Sequence, residues 1–311
     1  MVPDTDVLTR VCGTNDNNLK LIEKHLGVPI FTRGNELSVE SGDPALQQQF
    51  RFIIDRIMDE LHDGADGSQD MIVSVLNSGR EGGRAPFESG AITVPGGVRR
   101  VYPKTENHAR YVQALRNYDM VFCTGPAGSG KTFIAVAEAL RQVLTRKKST
   151  IILTRPVVEA GESLGFLPGD LEQKINPYLR PLYDAMEMVV PKETVKKMSE
   201  SGVIEIAPLA YMRGRTLHNS IVILDEAQNT TCEQMKMFLT RMGENSKVFV
   251  TGDVTQIDLP RRVPSGLVHA MRLLKDIPEI AMVTMAAEDV VRNPLVKKIV
   301  QAYEHEQENN E

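Results

Sequence analysis

The segment from Asp119 to Leu140, DMVFCTGPAGSGKTFIAVAEAL, constrains the fold of this chain more than any other. It places a short apolar strand before a glycine-rich loop and a helix with one apolar face after it. The loop satisfies the phosphate-binding pattern G-x-x-x-x-G-K-[ST] with Gly125, Pro126, Ala127, Gly128, Ser129, Gly130, Lys131 and Thr132. Because strand and helix flank the loop in the required order, a glycine-rich turn of an ordinary α/β domain is the weaker interpretation.

Each residue type in this P-loop has a chemical reason. Glycines let backbone N–H groups curl around phosphates, and Lys131 reaches the β- and γ-phosphate oxygens. Thr132 offers a hydroxyl to Mg²⁺, and the helix that follows directs the positive end of its dipole at the anion. The loop therefore predicts a nucleoside triphosphate as substrate and Mg²⁺ as cofactor.

Composition limits the other possibilities. The chain has 311 residues, enough for two domains or for one large domain with an appendage, and its formal net charge is −5. A general attraction for nucleic acid does not follow from that charge, so any polyanion binding must depend on local basic patches. No apolar run has the length of a membrane span, and the N-terminus does not resemble a signal peptide. Cys12, Cys123 and Cys232 lack metal-site spacing and indicate reduced thiols in a cytoplasmic protein.

Residues 1–79 are predicted to form a small α+β module. Its predicted elements are a strand over Val7–Val11, a helix over Asn17–Leu26, a hairpin of Val28–Phe31 and Leu37–Val39 that turns at Gly34-Asn35, a helix over Ala45–His62 and a further helix over Met71–Leu76. The size of the module is common among RNA-binding folds, and a plain docking or oligomerisation module fits the pattern equally well. Residues 80–100 are rich in Gly, Arg and Pro and predict a linker, with Ala91–Val94 and Val98–Val101 as a hairpin.

Residues 101–303 alternate strands with helices. After the P-loop strand, buried strands are predicted over Thr150–Leu153, Val203–Ile206, Ser220–Leu224, Lys247–Val250 and Ala281–Met285. Helices are predicted over Asn107–Leu115, over the later part of residues 159–190 and over Asn229–Met242, the last with a capping box from Thr230 to Glu233. This order predicts an α/β fold with a parallel sheet and a site at the carboxyl ends of the strands. Residues 304–311 are an acidic tail that we expect to be disordered.

Two carboxylates follow the strand Ser220–Leu224 directly. An apolar run ending in Asp225 and Glu226 is the Walker B pattern, which is weak alone and strong downstream of a P-loop. Asp225 is predicted to hold Mg²⁺ together with Thr132, and Glu226 to act as the general base on the attacking water.

The next strand ends in Gly252-Asp253-Val254-Thr255-Gln256. A Gly-Asp-x-x-Gln loop at this place resembles motif III of superfamily 1 helicases, which senses the γ-phosphate. Asp253 and Gln256 are therefore predicted to read that phosphate. The alternative is that Asp253 caps the following turn and that Gln256 lies on the surface.

Arginines are needed to stabilise charge on the transferring phosphoryl group. The candidates are Arg155 at a strand end, Arg213 and Arg215 in Tyr-Met-Arg-Gly-Arg, and Arg292 before Asn-Pro. Whether such an arginine acts within its own subunit or on a neighbouring one is left open by the sequence.

Several blocks together resemble the PhoH family. They are Thr154-Arg155-Pro156, Glu159-Ala160-Gly161-Glu162 through Leu171, Pro177 through Asp184, Tyr211 through Thr216, Leu224 through Asn229, and Thr251-Gly252-Asp253. The resemblance spans about Val101 to Tyr303. It implies a cytoplasmic ATPase with a single RecA-like core of the superfamily 1 helicase type, and a KH-like N-terminal module.

The resemblance also implies partners. They are ATP, RNA and an rRNA-processing endoribonuclease of the YbeY type, with no membrane association. A single core lacks the second face that helicases place across the nucleotide, so we expect a homo-oligomer, with a hexamer as the analogous ring. RNA helicase activity is a further expectation. Family members often carry an adenine-reading glutamine after Pro-Lys/Arg-Thr, and this chain has His108 there.

Three other functions are compatible with a P-loop. A nucleotide-gated RNA or protein adaptor would switch partners and hydrolyse slowly without unwinding. A nuclease is disfavoured because residues 1–79 lack a regularly placed acidic set. A small-molecule kinase is disfavoured by the helicase-like loop at Gly252–Gln256. The conclusion from sequence is a Mg²⁺-dependent ATP hydrolase coupled to RNA.

Overall fold

The computed structural model of the protein describes residues 4–78, 90–156 and 171–291, with the backbone alone for 171–178. Within these ranges no helix is both long and apolar enough to cross a bilayer. The predicted acidic tail 304–311, Arg292 and residues 80–89 of the linker lie outside the described residues.

The N-terminal module consists of four helices and a two-stranded antiparallel sheet. In chain order these are α1 (Thr5–Cys12), α2 (Asn17–Leu26), β1 (Ile30–Arg33), β2 (Glu36–Val39), α3 (Pro44–His62) and α4 (Gln69–Ser78). Arg33 pairs with Glu36 across the predicted turn. The hairpin and the three later helices are confirmed.

The strand predicted over Val7–Val11 is wrong, because this segment lies within α1. The carboxylate of Asp4 accepts a hydrogen bond from Val7 N at 2.8 Å and so caps the helix. Gly13 ends the helix with a φ of 72°. A segment of five residues with apolar residues at both ends fits the helical period and the strand period equally well. The cap at Asp4 favours the helix.

A six-stranded parallel sheet organises the rest of the chain. Its elements are α5 (Glu106–Asn117), β3 (Met120–Thr124), α6 (Lys131–Leu144), β4 (Thr150–Arg155), α7 (Leu171–Glu187), α8 (Lys192–Glu200), β5 (Ile204–Pro208), β6 (Ser220–Leu224), α9 (Cys232–Leu239), β7 (Lys247–Gly252), α10 (Gly266–Leu274) and β8 (Ile280–Thr284). The strand order is β5-β4-β6-β7-β3-β8. This confirms the predicted α/β fold with a RecA-like P-loop core and a small N-terminal α+β module.

Alternation along the buried strands divides the core into two layers. Val121 and Cys123 of β3 pack with α5, α6 and α7, whereas Phe122 between them packs with α9 and α10. Because successive strand residues point to opposite faces, every strand contributes to both layers. The layers fix the sheet, so the loops at its carboxyl edge have a rigid base.

Helix α9 is shorter than the predicted Asn229–Met242 and begins later. The Thr230 hydroxyl donates to Ala227 O at 2.7 Å and closes a 3₁₀ turn over Ala227–Asn229. The capping box is therefore formed by Thr231 and Gln234, not by Thr230 and Glu233. Two helices, α8 and α10, had no counterpart in the sequence prediction.

The predicted hairpin of Ala91–Val94 and Val98–Val101 is reduced to one antiparallel bridge, between Ile92 and Val101. Close by, the N-terminal module contacts the segment that precedes α5. Lys104 forms an ion pair with Asp70 at 2.6 Å, and the Asn77 side chain donates to Lys104 O at 2.7 Å. These bonds fix the Pro103–Thr105 segment against α4.

Candidate nucleotide site

The P-loop joins β3 to α6 in a conformation that glycine alone adopts without strain. Gly125 has a φ of 145°, and a Cβ there would lie 2.6 Å from Met285 Cβ and Met285 O. Gly130 precedes α6 with a φ of 81° and leaves the helix without a side-chain cap. Unpaired N–H groups at a helix N-terminus, with the helix dipole behind them, suit a phosphate.

Lys131 is buried at the base of this loop. Its Nζ donates to Gly125 O at 2.6 Å and to Pro126 O at 2.8 Å, and lies 3.4 Å from Ser129 Oγ. Burial lowers the pKa of Lys131, although the charges of nearby acidic groups oppose that shift. The Lys131 ammonium is thus held by carbonyl oxygens of the P-loop itself.

Asp225 lies between Thr132 and Thr251. Its Oδ1 accepts from Thr132 Oγ1 at 2.7 Å and from Thr251 Oγ1 at 2.8 Å. The P-loop helix, β6 and β7 therefore meet at one buried carboxylate, which the parallel register of the sheet brings within reach of the P-loop.

Asp253 uses its two carboxylate oxygens differently. Oδ1 accepts from Thr255 N at 2.9 Å and from Thr255 Oγ1 at 2.6 Å, so it caps the turn, as in the alternative interpretation. Oδ2 is buried and has no hydrogen-bond partner within the described part of the chain. Such an oxygen costs free energy unless a ligand pairs with it. The oxygens of Thr132, Asp225 and Asp253 therefore fit a hard cation such as Mg²⁺.

Glu226 occupies a left-handed backbone conformation with a φ of 51°. For a non-glycine residue this costs on the order of 1 kcal/mol. One carboxylate oxygen lies 3.3 Å from Arg155 Nη2, and the other accepts from Gln228 Nε2 at 2.5 Å.

Gln228 connects the two loops that face the cavity, and sequence reasoning did not assign it a role. Besides Glu226 it contacts Gln256 O through Nε2 at 3.2 Å, and its Oε1 accepts from Asp253 N at 2.9 Å. The side chain is buried. The one sequence signal for Gln228 was its position in the block Leu224–Asn229. A single amide residue has no spacing pattern that would predict such a role.

The cavity beside the P-loop has a volume of about 440 Å³. It is lined by Ala127, Gly128, Gly130, Lys131, Thr132, Phe133, Arg155, Pro181, Ala185, Asp225, Glu226, Gly252, Asp253 and Gln256. Arg213 and Arg215 are not brought to it: Arg213 is exposed, and Arg215 forms a bidentate ion pair with Glu205 of β5 at 2.5 and 2.7 Å. Arg292 lies outside the described residues.

His108 is buried against the P-loop. Its Nδ1 accepts from Lys104 N at 3.2 Å, and its Nε2 lies 2.9 Å from Ser129 O. A carbonyl oxygen only accepts, so Nε2 carries the proton and the ring is neutral.

A parallel sheet whose carboxyl edge joins a P-loop, a Walker B aspartate and a buried Asp253 defines the class of nucleotide-binding P-loop NTPases. The chain belongs to the PhoH family, because the family model described as PhoH-like protein matches residues 100–304. The PhoH-like protein of Bacillus subtilis (strain 168) is 48% identical over 299 residues, which are 94% of this chain and 92% of that protein.

A second relative matches a smaller share of the chain. Protein PhoH of Escherichia coli (strain K12) is 45% identical over 205 residues, 65% of this chain and 58% of that protein. Among solved structures, the large terminase of bacteriophage D6E aligns with a TM-score of 0.39 and 11% identity, over 60% of this chain and 45% of that one. A likeness of that extent carries no argument about activity.

Proposed function

We propose that the protein is a Mg²⁺-dependent ATP hydrolase. The observation that carries the proposal is the pair of adjacent carboxylates at the end of β6. Asp225 is hydrogen-bonded to the P-loop hydroxyl of Thr132, and Glu226 lines the cavity. In this proposal one carboxylate holds the metal and the next activates a water molecule, and both roles are needed for hydrolysis.

The roles of the remaining residues follow from their positions. P-loop amides and Lys131 bind the phosphates, and Thr132 and Asp225 would hold Mg²⁺, which would supply positive charge to neutralise the phosphates. Glu226 accepts the proton of the attacking water as the new P–O bond forms and the bond to the β-phosphate oxygen breaks. Arg155 stabilises the charge on the transferring group, and Asp253 with Gln256 responds to the γ-phosphate.

The finer part of the proposal is that hydrolysis is coupled to RNA in the cytoplasm. The resemblance supports it, including the expected link to an rRNA-processing endoribonuclease. A homo-oligomer fits the same proposal, since Arg213 is exposed, does not line its own cavity and is therefore available to act on a neighbouring subunit.

Steady-state phosphate release tests the proposal. Wild type and Glu226→Gln are compared with and without structured RNA, and Glu233→Gln, an exposed change on α9, is the matched control. We expect turnover by wild type and by the control, acceleration by RNA, and ATP binding without hydrolysis by Glu226→Gln. Hydrolysis by Glu226→Gln at the wild-type rate contradicts the assignment of the base.

One observation favours a second candidate, a nucleotide-gated adaptor. Both oxygens of Glu226 are engaged, by Arg155 and by Gln228, so the base is held by protein groups. An adaptor predicts tight ATP binding with almost no phosphate release under any condition, and the same measurement separates the two.

A further inference from the structure

A second cavity, here called the basal cavity, lies at the amino ends of the strands. Its volume is about 650 Å³, and it is lined by Ala91, Thr93, Arg116, Asn117, Arg141, Gln142, Lys147, Lys148 and Lys247. Lys247 is the first residue of β7 and Lys148 lies just before β4. Helix α6 runs from Lys131 in the P-loop to Arg141 here, ten residues or roughly 15 Å along its axis. The basal cavity is therefore separate from the nucleotide site.

The basal cavity is strongly basic. Five of its nine lining residues are Lys or Arg, and none of these nine described residues is acidic. Two carboxylates act nearby. Glu138 is fully buried behind the wall, and Asp119, which is exposed, attracts Lys148 and Lys247. The local charge stays positive in a chain whose formal net charge is −5, so composition gives no hint of it.

Glu138 fixes the two guanidinium groups. Its Oε2 lies 2.8 Å from Arg141 Nε and 3.3 Å from Arg116 Nε, and its Oε1 accepts from Gln142 Nε2 at 3.0 Å. One buried carboxylate is shared by two arginines, so their charge is oriented but only partly neutralised. Fixed cations lose less entropy on binding an anion than mobile ones do.

The lysines differ in their roles. Lys247 Nζ donates to Leu115 O, Arg116 O and Tyr118 O at 3.2, 3.0 and 2.5 Å, so its three protons are used and it contributes charge alone. Lys148 is held by Asn245 O and Asn245 Oδ1 at 2.6 and 2.7 Å, and Lys147 is exposed. Burial lowers the pKa of both Lys148 and Lys247, and the charge of Lys148 lowers that of Lys247 further. A bound anion relieves this repulsion.

The lining also restricts what the ligand is. None of the nine described lining residues is aromatic, and Ala91 is the single apolar one. A base therefore finds no surface on which to stack, whereas phosphates find several cations. The base of an isolated nucleotide would therefore have no stacking partner at such a surface.

We propose that the basal cavity binds the phosphodiester backbone of RNA without regard to base sequence. This inference rests on the proposed RNA coupling and gives it a contact surface on the core, away from the site of hydrolysis. Free polyphosphate has the same chemistry and an acidic protein segment has similar charge, so both enter the test as competing outcomes.

The test is RNA affinity measured by fluorescence anisotropy without nucleotide, using a labelled 20-nucleotide RNA of mixed sequence at several salt concentrations. Lys147→Glu/Lys148→Glu is compared with Lys236→Glu/Lys275→Glu, an equal charge change at exposed positions on the opposite face of the sheet. We expect the first variant to lose at least about tenfold in affinity and its salt slope to fall by about two, one for each lost phosphate contact. The control changes less than about twofold.

Equal losses in the two double variants, or no loss in either, overturn the proposal. It is also overturned if tripolyphosphate protects wild type thermally while RNA at the same phosphate concentration does not bind, or if only an acidic peptide binds.

Lys148 holds the Asn245 loop, so Lys147→Glu alone is measured as well, with a smaller loss of the same sign expected. Phosphate release without RNA stays at the wild-type rate in these variants. Failure of the hydrolase proposal is visible in that readout, and failure of the RNA site in anisotropy.

Discussion

The imidazole Nε2 of His108 donates to the backbone carbonyl of Ser129 over 2.9 Å, inside the P-loop. The other ring nitrogen accepts from Lys104 N, and Lys104 O accepts from Asn77 of the N-terminal module. Both nitrogens are thus used within the protein, and His108 positions the P-loop instead of presenting an edge to adenine. A continuous line of hydrogen bonds connects the module to the phosphate loop.

Acid is expected to weaken the structure through His108. Burial lowers the pKa of His108, although the hydrogen bond to Ser129 and the charge of Asp289 oppose the shift. Below about pH 6.5 the unfolded chain therefore takes up a proton that the folded chain resists, and the free energy of unfolding falls as pH falls. His108→Gln lacks this proton, so its melting-temperature deficit relative to wild type should shrink on acidification from pH 8 to 5.5. Exposed His269→Gln is the control, and a deficit that is constant with pH contradicts the prediction.

Lys131→Ala is expected to lower kcat/KM for ATP by roughly 100- to 1,000-fold, the loss typical of a single electrostatic donor at a transferring group. Lys131→Arg should also be impaired, because a planar guanidinium does not reproduce the contacts of the compact ammonium with two carbonyls and the Ser129 hydroxyl. Nucleotide titration and phosphate release measure the two effects. The melting temperature of each variant shows whether the loop bonds to Gly125 and Pro126 matter for folding.

Arg155→Gln should reduce kcat by about 100-fold and change the ATP dissociation constant little, because the charge it stabilises develops during transfer. Arg213→Gln is measured beside it, since Arg213 is exposed and does not line the cavity of its own chain. The reverse result, with loss of turnover in Arg213→Gln alone, assigns the catalytic arginine to the neighbouring subunit.

Gln228→Ala should lower the free energy of unfolding by about 1–3 kcal/mol, because it leaves the buried Asp253 N–H without its acceptor. It should also lower kcat more than it changes KM, because Gln228 orients Glu226. Urea denaturation and steady-state kinetics give the two values. Gln47→Ala, an exposed change in α3, is expected to be nearly neutral, and an equal effect of both substitutions argues against the bridging role.

Local signals predicted much of this fold. The helix Asn17–Leu26 has the predicted bounds because Gly27 ends it in a left-handed conformation. The buried strands that precede Asp225 and Asp253 were predicted because an apolar run and a following carboxylate are adjacent in sequence. By contrast, the segment Val7–Val11 fits both periods, and its helical state depends on one side chain, that of Asp4, which accepts a hydrogen bond from Val7 N and caps the helix.

The remaining features depend on contacts between distant residues. Gln228 acquires its role only where the end of β6 approaches the loop at Asp253. The basal cavity combines residues from four separate segments, including Arg116, Lys148 and Lys247. These residues share no pattern or spacing in the sequence. The strand order of the sheet brings them together.

The buried Oδ2 of Asp253 has a consequence for the whole chain. This oxygen has no hydrogen-bond partner among the described residues, so its burial destabilises the folded protein. A ligand that pairs with it stabilises the native state and leaves the unfolded state unchanged. By mass action the melting temperature should then rise with the concentrations of nucleotide and Mg²⁺. The resistance of the protein to unfolding and to proteolysis therefore depends on the nucleotide concentration around it.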